Sequence, residues 1–415
     1  MPVFVLNKDG QPLMPTSPVK ARLLLKTGKA RVARRTPFAI QLTYQATRYI
    51  QPLTHGVDTG SGAIGSAVAG PAGQVYYTSE VTVRNDIRSR MDRRRAYRRL
   101  RRYRKTRYRA PRFSNRSNSR RRERFSPTMV SKVDAHHREI RFVRSILPIA
   151  KIILETGSFD PHALKNPEVL QNKLLYQQGP NYGFANTKAY VLARDGHKCQ
   201  NRGCKSGDCR LHVHHIVWRS QGGSDDAENL ITLCKTCHDR VHQDGLVLHL
   251  KGRGKGGLLH ATQMNSIRVQ LLKSYPEAVE TFGFITKEHR QMYTGLKSHA
   301  IDAAFIATEG PKPTFLTTVT LVKTSIPDGD YQRTKGVRSE TRIPAGKIQG
   351  FRKFDTVRYK GRNYVIRGRF STGYAKLTDE QGRPVDLKPI PKLSLMKRAA
   401  ARKSWRIAEQ SMPNL

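Results

Sequence analysis

Four of the five cysteines in this 415-residue chain stand as two close pairs. Cys199 and Cys204 are spaced C-x4-C, and Cys234 and Cys237 are spaced C-x2-C. Each pair closes a short loop around one edge of a tetrahedron, so four thiolates in this pattern suit a structural Zn²⁺. A module this short has little apolar core, and zinc would hold it together. Cys209 is the spare, an alternative to Cys204. Between the pairs runs Leu211-His212-Val213-His214-His215-Ile216-Val217. Alternation along a strand puts His212 and His214 on one face and His215 on the other. Asn229 follows, and His238 and His242, four apart, lie one above the other on a helix. Phosphodiester hydrolysis needs a base to activate water and a hard cation to stabilise the leaving oxygen. An imidazole is a side chain that can act as a base or as a metal ligand.

The His-Asn-His order, with the flanking Val213-His214-His215-Ile216-Val217 and Gly222-Gly223-Ser224, resembles the HNH endonucleases and their ββα fold around one catalytic metal. The resemblance implies His215 as general base and Asn229 as the residue that orients the loop or assists the metal. It implies His214 and His238, with His242 as a third, as ligands of a catalytic Mg²⁺.

Three further fragments carry acids. They are Gly56-Val57-Asp58-Thr59-Gly60, Ile152-Ile153-Leu154-Glu155-Thr156 and Ser298-His299-Ala300-Ile301-Asp302. His299 and Asp302 are three apart and share a helical face. Two-metal phosphodiester cleavage needs several carboxylates converging on its cations. The fragments resemble the split RuvC-like nucleases of the RNase H fold, which implies Asp58, Glu155 and Asp302 as Mg²⁺ ligands and His299 as a helper beside the metals.

These residues need elements to position them. Val3 to Leu6 reads as a strand, Ser17-Pro18 as a helix start and Gly28 as its end, with Pro12-Leu13-Met14-Pro15 in the loop between. His55 to Thr78 reads as a three-strand meander with Asp58 near the end of its first strand. From Arg88 to Arg109, thirteen of twenty-two residues are Arg or Lys against one acid, Asp92. Apolar residues recur there at spacings of three or four, which predicts a helix with a thin apolar stripe. Arg88, Arg90, Arg94, Arg95, Arg98, Arg99, Arg101, Arg102, Arg104, Arg107 and Arg109 cover the rest and face a polyanion. A Ser/Asn/Arg-rich loop, Arg112 to Arg124, follows. Thr128 to Leu147 reads as helix and Ala150 to Glu155 as a buried strand. Gly252 to Gly257 is a linker, and the tail holds a small sheet or barrel over Asp355 to Leu377.

The expected fold is therefore α/β multidomain. It comprises an RNase H-like mixed sheet split in three, an inserted ββα-metal module, an Arg-rich bridge helix and a small mainly-β C-terminal domain. The boundaries expected are 1–52 for the N-terminal Pro-Leu-Met-Pro unit, 53–87 for the first RuvC fragment and 88–125 for the basic helix and loop. They continue with 126–180 for the second fragment, 181–250 for HNH, 251–310 for the third fragment and 311–415 for the C-terminal module. That order resembles the IscB family, transposon-encoded relatives of the HNH-containing CRISPR effector nucleases. The resemblance implies a structured guide RNA (ωRNA) lying along the bridge helix, double-stranded target DNA with a short flanking motif read by residues 311–415, and a monomer in a 1:1 RNA complex. HNH would cut the guide-paired strand and RuvC the displaced one. An unguided HNH homing or restriction-type enzyme and a non-catalytic nucleic-acid-binding protein are the competing readings.

Composition agrees with a polyanionic partner. Lys and Arg outnumber Asp and Glu 76 to 31, a net charge of +45, which repels itself in the compact state unless neutralised. No run of about eighteen apolar residues points to a membrane, and the N-terminus lacks a signal-peptide layout. The expected location is the prokaryotic cytoplasm, at the nucleoid.

Overall fold

Val3, Phe4 and Val5 are apolar on consecutive positions because the strand they form, β1 (Val3–Leu6), is covered on both faces. In the computed structural model β1 is followed by β2 (Pro12–Thr16), α1 (Pro18–Lys26), β3 (Ala30–Arg34) and β4 (Ala39–Leu42). They form a sheet of order β2-β1-β4-β3. The α1 helix starts as expected, Ser17 Oγ accepting from Lys20 N–H, and Gly28 follows it with φ +67°. Pro12 to Pro15 is strand rather than loop. A proline has no N–H for the ladder, but β2 is an edge strand with a register shift against β1, and both features remove that demand.

The structure describes residues 2–104, 125–179, 181–206, 210–221, 223–246, 248, 258–326, 331–333, 340–342, 347–379 and 382–412. Arg107, Arg109, Cys209, Gly222, the basic loop from Arg112 to Arg124 and the Gly252 to Gly257 linker lie outside them. The chain divides into two compact units, residues 1–157 with 266–415, and residues 158–265.

The first unit continues with the meander β5 (Leu53–Asp58), β6 (Ala63–Ala69) and β7 (Gln74–Thr82), then α2 (Ile87–Arg104), α3 (Pro127–Arg144) and β8 (Ile149–Thr156). The second unit holds α4 (Pro161–Lys165), α5 (Thr187–Arg194), β9 (Leu211–His215), β10 (Leu230–Cys234) and α6 (Lys235–Gln243). After α7 (Leu259–Ser274) the first unit resumes with β11 (Val279–Phe282), α8 (Gly283–Gln291) and α9 (His299–Thr308). Its tail contains β12 (Thr314–Phe315), β13 (Val319–Ser325), β14 (Tyr331–Arg333), β15 (Glu340–Arg342), β16 (Thr356–Tyr359), β17 (Arg362–Arg369), β18 (Ala375–Thr378), β19 (Pro384–Val385), β20 (Lys397–Ala400) and β21 (Trp405–Ser411).

The main sheet runs β11-β8-β5-β6-β7-β13-β21, with β12 also on β7. It is mixed: β5 is parallel to β8 and antiparallel to β6, and β7 is parallel to β13. Alternation along β6 sorts its two faces. Val68 joins a core with Tyr77, Val143, Ile146 and Leu147, whereas Ala67 and Ala69 meet Ala303, Ala304 and Ala307 of α9. Small residues on that second face let the helix lie close: a Cβ on Gly56 would sit 2.5 Å from Ala303 O, and one on Gly65 1.9 Å from His299 O. The tail expected as a self-contained module over 311–415 is divided. Its middle forms the sheet β19-β18-β17-β16-β20 around Val357, Ile366 and Leu377, while β12, β13 and β21 extend the main sheet. The cause is apolar β13, whose Leu321 is buried in the main core.

Candidate metal centres

In the second unit, β9 and β10 pair antiparallel with His212 opposite Leu233, His214 opposite Ile231 and His215 opposite Leu230. The hairpin packs on α6 through Ile231, Leu233, Cys237 and Val241. Cys234 ends β10 and caps α6, its Sγ accepting from Cys237 N–H at 3.4 Å. The Sγ atoms of Cys199, Cys204, Cys234 and Cys237 all lie within 4.8 Å of one another, and Cys204 to Cys234 is 3.7 Å. A tetrahedral Zn²⁺ with Zn–S near 2.3 Å has an S–S edge of about 3.8 Å. The thiols fit that ion.

Alternation along β9 brings His212 and His214 to the same face, where both rings contact His238 at 5.1 and 5.3 Å between centroids. His214, His238 and His242 have ring nitrogens within 4.8 Å of one another. Burial, reinforced by His238 and His242, pushes the His214 pKa down to about 4. It is therefore the neutral imidazole that a metal requires.

His215 points elsewhere. Its Nε2 is 2.8 Å from Asp225 Oδ1, and Arg219 contacts the same carboxylate at 2.6 Å. With Nε2 engaged by an acceptor, Nδ1 carries the lone pair. Asn229 is buried and spends its amide on the loop. Its Oδ1 accepts from Val217 N–H at 2.9 Å, and its Nδ2 donates to Val217 O at 3.0 Å and Ser224 O at 2.8 Å. These bonds tie Asn229 to the loop that follows His215. Gly223 completes the turn, since a Cβ there would meet Val217 O at 1.8 Å.

The first unit gathers the acids. Asp58 and Glu155 end neighbouring parallel strands and stand opposite each other in register. His299, in the first turn of α9, places Nδ1 2.6 Å from Asp58 Oδ2, and this hydrogen bond raises its pKa. Burial, with Asp58 and then Asp302 close by, pushes Glu155 up to about 7, and Thr286 hydrogen-bonds to it. Burial also raises Asp302, against the pull of Arg290, whose Nε lies 2.6 Å from Asp302 Oδ1. Glu155 Oε2 is buried without a hydrogen-bond partner. A carboxylate oxygen left this way has the donor chemistry of a divalent-cation ligand, although the oxygens of Asp58, Glu155 and Asp302 are not gathered within 4.8 Å of one another as the Cys and His ligand atoms of the second unit are.

Sequence reasoning missed Asp225, Arg290, Thr286 and Glu80, whose Oε1 accepts from Ala300 N–H at 3.1 Å. Asp225 follows the Gly-Gly-Ser turn ten residues after His215, a spacing that signals its partner only once the turn is known to fold back. Arg290 had no signal, since it stands among the exposed polar residues of α8, of which only it and Thr286 are buried; it is only 6 % exposed.

The basic helix exists as α2. Arg88, Arg90, Arg94, Arg95, Arg98 and Arg99 are exposed on it, and Arg101, Arg102 and Arg104 lie within its span. Among the described contacts, Asp86 answers Arg90 and Asp92 answers Arg95 at 3.4 Å.

Residues 3–179 match the RRXRR protein family and residues 198–244 the HNH endonuclease family. The type IV methyl-directed restriction enzyme EcoKMcrA of Escherichia coli is 30% identical over 100 residues, 23% of this chain and 34% of that protein. The chain thus spans about a third of that relative. Anaredoxin of a Nostoc species is 28% identical over 67 residues, 16% of this chain and 88% of its own length. Two crystal structures are similar at low level. Streptococcus thermophilus Cas9 in complex with the AGAA PAM has 11% identity and TM-score 0.33 over 61% of this chain and 32% of that one. The Type II-C Cas9 of Actinomyces naeslundii has 15% identity and TM-score 0.17 over 44% and 27%. The Cys/His unit thus matches the HNH endonuclease family, within a mixed α/β chain.

Proposed function

We propose that the chain is an RNA-guided DNA endonuclease of the IscB type, with two cleavage centres for the two strands of a duplex. The carrying observation is that one compact unit holds the Cys199/Cys204/Cys234/Cys237 and His214/His238/His242 clusters while the other holds Asp58, Glu155, His299 and Asp302 near one another, in a chain with an Arg-covered helix and a charge of +45. A duplex has two strands, and a single centre would leave Asp58, Glu155, His299 and Asp302 without a role.

In the HNH unit, His215 accepts the proton of the attacking water through Nδ1 while Asp225 holds Nε2. The new P–O bond forms as the bond to the 3′ oxygen breaks. His214, His238 and His242 would hold one Mg²⁺, and Asp58, Glu155 and Asp302 the others. A bound Mg²⁺ supplies Lewis-acid stabilisation of the charge that develops on the phosphoryl and leaving oxygens. Asn229 keeps the loop after His215 closed. His299 orients Asp58 and stands ready to exchange a proton. The four cysteines would hold the Zn²⁺ that stiffens the HNH hairpin.

Base pairing with a guide would read the target, leaving the protein to hold backbone and shape along α2, and the flanking motif would fall to the tail. HNH is assigned to the guide-paired strand and the acid centre to the displaced strand. The likeness to a restriction enzyme supports the second reading, an unguided DNA endonuclease.

The test is strand-resolved cleavage of duplex DNA in Mg²⁺ by protein purified with its co-expressed RNA. His215→Ala is expected to cut only the displaced strand and Asp58→Ala only the guide-paired one. Loss of both cuts from either change, with DNA binding intact, would sink the two-centre assignment. Equal cutting by RNA-free protein would establish the unguided reading instead.

A further inference from the structure

The helix α8 buries the residues that a packing helix would expose. Its two buried side chains are polar, Thr286 and Arg290, at 5 % and 6 % exposure, while Phe284 and Ile285 beside them stand 65 % and 46 % exposed. Burying polar groups where apolar ones were at hand costs stability unless the polar groups find partners. Gly283, Thr286 and Arg290 are three and four residues apart and share one helical face. That face lies against the acid centre.

The partners are two carboxylates. A Cβ on Gly283 would sit 3.1 Å from Glu155 Oε1, so that oxygen faces the start of α8, and Thr286 hydrogen-bonds to the same carboxyl. Glu155 Oε2 stays buried without a partner. Arg290 Nε lies 2.6 Å from Asp302 Oδ1, an ion pair not aligned as a hydrogen bond, and its Nη1 donates to Leu296 O at 3.3 Å. Asp58 repeats the pattern, with Oδ2 held by His299 Nδ1 at 2.6 Å. Each acid thus has one oxygen answered by a neighbour and a second oxygen left to another partner. A carboxylate that ligates a cation through one oxygen is aimed by whatever holds the other.

We infer that Thr286 and Arg290 are positioning residues of the acid centre, Thr286 fixing Glu155 and Arg290 fixing Asp302 so that the second oxygen of each is presented to a shared divalent cation. The inference rests on the acid centre proposed above and adds to it the helix that aims two of its ligands. Charge alone does not account for the pair. Threonine carries none, and a guanidinium beside a cation site repels the cation.

Mn²⁺ is the probe, its binding followed by electron paramagnetic resonance. The protein is the full chain, freed of nucleic acid at high salt and carrying His238→Ala so that the imidazole set does not contribute. Asp58→Ala marks the share of binding that belongs to the acid centre. Thr286→Val, the same shape without the hydroxyl, is expected to weaken that share about ten- to a hundredfold, the usual loss with an outer partner of a metal ligand. Thr286→Ser is expected to restore most of it. Arg290→Met is also expected to weaken binding, whereas release of a repelling charge alone would tighten it. In protein purified with its RNA, Thr286→Val is expected to need at least about tenfold more Mg²⁺ for half-maximal cutting of the displaced strand. Excess Mg²⁺ is expected to recover the rate, as it would not in a misfolded centre, and the HNH-assigned strand to be cut as before. Native Mn²⁺ affinity in Thr286→Val, or native or tighter affinity in Arg290→Met, would overturn the inference and leave the acid centre standing. Mn²⁺ binding unchanged by Asp58→Ala would remove the centre itself, and the inference with it.

Discussion

His215 has two nitrogens, and the contact to Asp225 decides which one works. Asp225 itself is 68 % exposed on its side chain, so water weakens its hold compared with a buried orienting carboxylate. Asp225→Ala is therefore expected to slow cutting of the HNH-assigned strand about tenfold, far less than the ~10⁴ seen when a buried orienting acid is lost. Cutting of the other strand is expected to be unchanged in the same strand-resolved assay, and an equal loss on both would refute the contact's role. Residue types at the two centres were legible in the sequence because zinc pairs, alternating histidines and acids at strand ends are local patterns. Their outer partners were not. Arg290 beside Asp302 and Thr286 beside Glu155 come from a helix that follows a different strand, and no spacing encodes a contact made by folding.

At the scale of elements, the closeness of α9 to the sheet sets where Asp302 and His299 stand. Gly65 permits it, because a Cβ there would overlap His299 O at 1.9 Å, whereas one on Gly62 meets nothing within 4 Å. Gly65→Ala is expected to destabilise the first unit by about 3 kcal/mol or more and to abolish cutting by the acid centre; Gly62→Ala is expected to leave both unchanged. Paired thermal melts and displaced-strand cutting check this, and similar behaviour of the two variants would count against the close-packing account. The HNH hairpin depends on a different device. Its apolar core is a few residues around Ile231 and Leu233, so Cys237→Ser is expected to lose the zinc found by metal analysis and to melt that unit first. A variant that keeps full zinc and stability would remove Cys237 from the ligand set. Elements whose pattern is periodic, such as β5 to β8 and α3, could be read from the sequence. The strand at Pro12 to Pro15 could not, because its prolines are tolerated only at a sheet edge. The membership of β13 and β21 in the main sheet could not either, because β13 pairs with β7 across more than two hundred residues and β21 joins only through β13, and such distant pairings leave no local trace.

Across the whole molecule, β13 is tied to the main sheet by a fully buried charge pair. Lys323 Nζ lies 2.7 Å from Glu139 Oε2 on α3 and 2.5 Å from the Tyr77 hydroxyl on β7, so the tail and the meander share one core. Around that core two histidines are sealed away from water. His55 and His136 are entirely buried, and burial pushes both pKa values down from 6.5 to about 4. Each has one satisfied nitrogen, through Ser66 Oγ at 2.7 Å and Lys132 O at 2.8 Å, and one buried nitrogen without a partner. Protonation would leave a charge in a site with no acceptor for it. The unfolded chain takes up these protons as pH falls below 6.5, while the folded chain refuses them until about 4. Stability from the neutral pair is thus fully present above pH 6.5 and is lost as pH falls towards 4, by up to about 3 kcal/mol for each histidine. Carboxylates titrate in the same window, so the measurement is a difference. Urea unfolding of the first unit, followed at a fixed moderate salt from pH 7.5 to 4.5, is expected to show a steeper fall for the native chain than for His55→Asn with His136→Asn. The variant begins lower, having lost fitted packing, but the two curves approach each other as the pH drops. Parallel curves would mean that the two rings are charged or exposed in the folded state, and the sealed core between α3 and the sheet would have to be abandoned.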